Sequence, residues 1–218
     1  METLEFILKK YNISFDKNTK MPIEIPNIGR LDILRWLKEL DFHTGAEVGV
    51  AEGEYSKLIC EANPQMKIYG IDSWKPYKGY SDYTRQSSFT ILYDEAQRRL
   101  GPYIKRGRYE IVKEFSEDGV KKFEDNTLDF VYIDANHEEP FVFKDITEWT
   151  KKVHPGGIVA GHDYVRIKSG SEKSLWGVTK AVQRYTDGNK IRPWFVLGLS
   201  QEVKGMMRDG SRSWMFVK

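Results

Sequence analysis

The chain of 218 residues balances 34 basic against 32 acidic side chains and is 40% hydrophobic and 13% aromatic. That composition supports a packed core, excludes global disorder, and offers no field for nucleic acid or an anionic membrane as the main partner. No stretch reaches the ~20 apolar residues of a membrane span, and the acidic amino terminus lacks the marks of a secretion signal, so a cytoplasmic setting is expected.

A short apolar-periodic piece at 4–11 precedes a polar, proline-broken stretch to Pro26. Leu31, Ile33, Leu34, Leu37 and Leu40 then mark a helix, flanked by Trp36, with a glycine stop signal in 41–45. From there strands and helices alternate. Strands are expected at 46–50, 67–71, 109–113, 128–133 and 158–161, and helices at 54–62, 89–100, 119–123, 141–152 and 178–185. Two β-rich runs, 193–199 and 213–217, close the chain, with a turn at 208–211. The lone Cys60 falls in an apolar helix and reads as buried and inert, and Lys105-Arg-Gly-Arg108 reads as a solvated turn.

This alternation predicts an α/β fold, a doubly wound and mostly parallel seven-stranded sheet with an antiparallel C-terminal hairpin. Residues 1–44 would form a helical extension packed on a core domain spanning 45–218. Segments 74–88 and 164–177 are polar and irregular and follow strands, which makes them candidate substrate walls. Tyr77, Tyr80 and Tyr83 add weight to the first.

Glu47-Val-Gly-Val-Ala-Glu-Gly53 joins the first core strand to its helix. Small residues at Gly49, Ala51 and Gly53 admit a ligand to the backbone. A dinucleotide fingerprint is not met, because position 51 is alanine and position 54 glutamate. Glu47, Glu52 and Glu54 favour a cationic ligand end, such as a sulfonium, over a phosphate. Asp72 ends the next strand, where an acid can accept two ribose hydroxyls, and Ser73 and Trp74 follow it. A tight turn without ligand remains the alternative for Gly49 and Gly53, as does a turn cap for Asp72.

The motifs Glu47-Val-Gly-Val-Ala-Glu-Gly-Glu-Tyr-Ser56, Tyr69-Gly-Ile-Asp72, Asp129-Phe-Val-Tyr-Ile-Asp-Ala-Asn-His-Glu138 and Pro155-Gly-Gly-Ile-Val-Ala-Gly-His-Asp-Tyr164 resemble class I S-adenosylmethionine-dependent methyltransferases. The last two are similar to the branch of macrocin and other sugar O-methyltransferases, with cephalosporin hydroxylase as a fold relative. The resemblance implies a cofactor set of Glu47, Gly49, Val50, Ala51, Glu52, Gly53, Ser56, Asp72, Ser73, Trp74, Ser116 and Asp134. Within it, Ser116 of Phe115-Ser116-Glu117 would lie by the adenine. It also implies a small-molecule or sugar acceptor; the charge balance points to no nucleic-acid or membrane partner, and an edge-strand or loop-mediated homodimer is a reasonable assembly.

Asp134, His137, His162 and Asp163 sit at the ends of two neighbouring apolar runs. Asp134 and Asp163 are hard oxygen donors suited to magnesium, manganese or calcium, and His162 pulls the preference toward manganese, iron or zinc. The expected catalytic residues are therefore Asp134, His137 and His162, and the expected metal ligands Asp134, His162 and Asp163. His137 is either a general base or a cap of the following helix, and His162 either a ligand or a group orienting Asp163. A metal-dependent oxygenase and a non-catalytic cofactor-binding module remain open as other readings.

Overall fold

The computed structural model describes residues 2–76, 85–165, 176–200 and 211–218. Its elements run α1 (Thr3–Lys10), β1 (Ile23–Ile25), α2 (Arg30–Glu39), β2 (Thr44–Val48), α3 (Glu54–Ala62), β3 (Lys67–Ile71), α4 (Gln86–Ile104) and β4 (Tyr109–Val112). Next come α5 (Ser116–Gly119), a 3-10 turn (Val120–Lys122), β5 (Leu128–Ile133), α6 (Glu139–Lys152), β6 (Val153–Tyr164), α7 (Trp176–Gly188), β7 (Phe195–Leu197) and β8 (Arg212–Val217). One sheet holds the strands in the order β1-β7-β8-β6-β5-β2-β3-β4. Among the described strands, only β8 runs against its neighbours, β6 and β7.

Period-2 alternation explains the two layers. On β5, Phe130 and Tyr132 enter the core shared with α1, α2, α3 and α4, whereas Val131 and Ile133 enter the one shared with α6 and α7. Both faces are covered, so the central strands are apolar on both sides, as a buried parallel sheet requires. Cys60 lies inside the first core, and burial pushes its thiol up to about 12, an unreactive setting.

The architecture is the expected one, with one strand more. β1 pairs in parallel with β7 and supplies the eighth strand from the proline-broken stretch. α2 stops before the predicted glycine. Asp41 adopts φ 57°, and the Phe42 and Asp41 amides donate to Leu37 and Lys38 carbonyls, a Schellman ending; Gly45 lies inside β2. The Lys105–Arg108 run is more than a solvated turn, because Arg108 donates to the Cys60 and Asn63 carbonyls at 2.7 Å and caps α3. The tyrosines at 77, 80 and 83, most of the 164–177 wall and the turn at 208–210 lie outside the described residues.

Candidate functional site

The sheet reverses its winding between β2 and β5, the crevice where ligands bind in open α/β folds. Gly49 follows β2 there with φ 93°, and a Cβ on it would stand 2.0 Å from the Asp134 carbonyl oxygen. Its smallness lets the β2 and β5 turns touch. Asp72, at the end of β3, holds the same turn. Its Oδ2 accepts the Val50 and Ala51 amides at 3.0 Å each, and its Oδ1 accepts the Trp74 amide at 2.8 Å. Trp74 returns the contact, donating Nε1–H to the Ala51 carbonyl at 2.8 Å. Burial raises the Asp72 carboxyl, and these amides oppose the rise.

A cavity of about 260 Å³ opens beyond these strand ends. Of the predicted cofactor residues, Gly49, Ala51, Asp72, Ser73, Trp74, Ser116 and Asp134 line it, and Glu47, Val50, Glu52, Gly53 and Ser56 do not. Gly53 serves packing, since a Cβ there would stand 2.8 Å from Leu100 of α4. Val50 belongs to the core and Glu54 is exposed. Glu47 points into the α3 side of the sheet, where its carboxyl oxygen accepts the Ser56 hydroxyl, which in turn meets Tyr109 Oη at 2.9 Å. The acidic rim thus exists but is built from Asp72, Glu114, Glu117, Asp134 and Asp145 rather than Glu47, Glu52 and Glu54.

Burial pushes Glu47 up to about 8, with Asp134 and Asp72 acting in the same sense and Ser56 against it. The folded chain therefore keeps a proton that the unfolded chain releases near pH 4.5, and stability falls as pH rises from there toward 8. One full proton of difference corresponds to about 1.4 kcal/mol per pH unit. In Glu47→Gln, urea unfolding between pH 5 and 8 is expected to show a shallower decline. The wild-type slope, retained, would mean that Glu47 is ionised in the folded protein.

Four side chains meet at the β5 and β6 ends. Asp163 Oδ2 lies 2.9 Å from His137 Nε2, and its Oδ1 lies 3.3 Å from His162 Nδ1. Asp134 stands 4.0 Å from His137 Nε2 and 3.9 Å from His162 Nδ1. Burial disfavours the charge on Asp163, yet the two imidazoles hold its carboxyl far below the usual range. Burial likewise opposes charge on His162, but Asp163 and Asp134 raise it above its ordinary value. Burial raises Asp134, reinforced by Asp163 and opposed by the histidines. Ligand atoms of Asp134, His162 and Asp163 all lie within 4.8 Å of one another, a set that fits one cation. His137 Nε2 faces Asp163, and Asn136 Oδ1 takes the Glu138 amide at the start of α6 at 2.7 Å.

Sequence reasoning missed Asp145, which lines the cavity from α6 and is buried. Its signal was an acid within the buried helix stripe of Val142, Ile146 and Trp149. Arg30, at the start of α2, also went unnoticed, although its charge acts on Asp134, His162 and Glu47.

The fold is an open α/β sheet with its cavity at the crossover of the strand order. The chain belongs to the methyltransferase-domain family, whose model matches residues 46–164. No curated protein matches it in sequence. Among solved structures it is similar to the Streptomyces achromogenes O-methyltransferase TomG in complex with SAM, with 17% identity and TM-score 0.58 over 100% of this chain and 90% of that one. It is also similar to a Bacillus cereus O-methyltransferase in complex with SAH, with 14% identity and TM-score 0.58 over 99% and 90%. At these identities the likeness is one of fold. No described helix is long and apolar enough to cross a membrane.

Proposed function

We propose that the protein moves a methyl group from S-adenosylmethionine to a hydroxyl of a small molecule or sugar, with a divalent cation at Asp134, His162 and Asp163. The observation carrying this reading is the position of Asp134, which lines the cavity and also stands within 4.0 Å of both imidazoles. Cofactor and acceptor chemistry therefore meet at one carboxylate. Cofactor-bound fold neighbours and the resemblance of the last two motifs to sugar O-methyltransferases support it.

Gly49 and Ala51 would lie along the amino-acid part of the cofactor and Asp72 at its ribose, while the acidic rim suits a cationic ligand. Bound there, the sulfonium supplies an already activated methyl group, and a cation at the three ligands would acidify the acceptor hydroxyl. The chain's own task is alignment and proton removal. Asp134, at the cavity wall beside both imidazoles, is placed to take the hydroxyl proton. Asp163 Oδ2 accepts a hydrogen bond from His137 and so fixes that ring, while Oδ1, beside His162 Nδ1, would remain for the cation.

The test is SAH release from S-adenosylmethionine across a panel of phenols, catechols and sugars, with and without chelator. Turnover of a hydroxyl acceptor is expected, falling at least ~10-fold on chelation and returning with manganese or magnesium. Chelator-insensitive turnover would remove the cation and leave methyl transfer standing. Absence of any S-adenosylmethionine or SAH binding would remove both.

A further inference from the structure

We propose that Asp145 reads the base of the bound cofactor, its Oδ2 accepting a hydrogen from the adenine amino group while Ser116 and Trp149 hold the carboxylate in place. This rests on reading the cavity as the S-adenosylmethionine site.

The cavity passes four neighbouring strand ends in order, with Asp134 after β5, Gly49 after β2, Asp72 after β3 and Glu114 to Glu117 after β4. A ligand with its sulfur near Gly49 and Asp134 and its ribose at Asp72 sends its base toward the β4 end. There the walls are Ile71, Phe115 and Phe141, apolar faces suited to a flat ring, and the buried polar group among them is Asp145.

The hydrogen-bond directions near Asp145 are determined by chemistry. Trp149 Nε1 can only donate, and it does so to Ser116 Oγ at 2.9 Å. The single hydroxyl hydrogen of Ser116 therefore goes to Asp145 Oδ1, 2.5 Å away. Ser116, expected at the adenine, is thus committed on both sides and acts through Asp145. No described residue bonds Asp145 Oδ2, so an acceptor remains for the ligand. An adenine amino group matches it, whereas the keto oxygen of hypoxanthine meets it lone pair to lone pair.

Burial pushes the Asp145 carboxyl up to about 7, with Ser116 opposing. Lys144 on the same helix and Glu117 on α5 are the charges acting on it, and they pair with each other. Lys121 and Lys122 of the 3-10 turn pair with Asp118 and Glu114. Only the ionised carboxyl accepts at Oδ2 without a competing proton, so ligand affinity rises with pH through this range.

Calorimetric titration of SAH and its hypoxanthine analogue, S-inosylhomocysteine, tests the assignment. Wild type is expected to prefer adenine about tenfold or more, as for a hydrogen bond to a charged group. Its SAH affinity should rise roughly tenfold from pH 6 to pH 8. In Asp145→Asn, Ser116 still donates to Oδ1, which turns the amide nitrogen toward the base. The preference should vanish or invert, and the pH dependence should flatten. Ser116→Ala, which frees the carboxylate, should reduce the preference without inverting it. A wild-type preference in both variants, or a pH-independent wild-type affinity, overturns the proposal. Failure of wild type to bind either ligand overturns the cofactor reading itself.

Discussion

Asp134→Asn is expected to lower methyl transfer by about 10²–10⁴-fold, the range for loss of a positioned proton acceptor, while the protein still folds. The substitution keeps shape and volume. It leaves the Asp134 backbone in place, where the amide donates to the Val48 carbonyl at 2.7 Å and the carbonyl packs against Gly49. What disappears is the charge facing His137 and His162. Both contacts are at 3.9–4.0 Å, too long for strong hydrogen bonds, so the cost to stability should be small. Burial already disfavours the ionised carboxylate, and a neutral amide relieves that penalty. Initial rates, paired with a melting curve and SAH titration, separate the effects. A large rate loss with near-normal melting and binding identifies Asp134 as base or ligand, and normal turnover rules it out of both roles.

How much of this was legible beforehand depended on how local each signal was. Residues 54–62, 67–71 and 128–133 were placed with the boundaries found, because turn residues and strict periodicity bracket them within the sequence. β1 was missed because three residues carry no period, and its pairing with β7 spans more than 170 positions. The reacting floor was legible because acids and imidazoles directly following apolar strands can only gather at the sheet's carboxyl edge. The cofactor residues were half legible. Strand membership of Glu47 was clear, but the face it occupies depends on register against α3, and there it meets Ser56 and Tyr109 instead of ligand. Asp145 was hidden by its helix. One acid in an amphipathic stripe looks like an ordinary boundary residue until Ser116 arrives from α5, bonded to Trp149 of the same stripe, to hold it.

Asp72→Ala is expected to weaken cofactor binding about 10–100-fold and, separately, to destabilise the fold by about 2–4 kcal/mol. The first follows if the β3-end carboxylate holds ribose hydroxyls, since hydrogen bonds to charged groups contribute about 1.5–3 kcal/mol each. The second follows from the apo geometry alone. The Val50, Ala51 and Trp74 amides would lose their acceptor in a setting that is largely buried, and each unsatisfied group costs about 1–3 kcal/mol. Water entering from the adjoining cavity offsets part of this, which places the total toward the lower end. Ala51 and Trp74 both have positive φ, so the turn depends on these bonds to keep an unfavourable backbone. Ribose hydroxyls must share the same two oxygens with the amides. The turn clamp and the ligand anchor are therefore one group, and the variant separates them only if both quantities are measured. Urea unfolding reports the clamp, and SAH titration well below the melting temperature reports the anchor. A stability loss with unchanged affinity would leave Asp72 as a turn cap and move the ribose elsewhere in the cavity, while loss of both assigns it the two roles together.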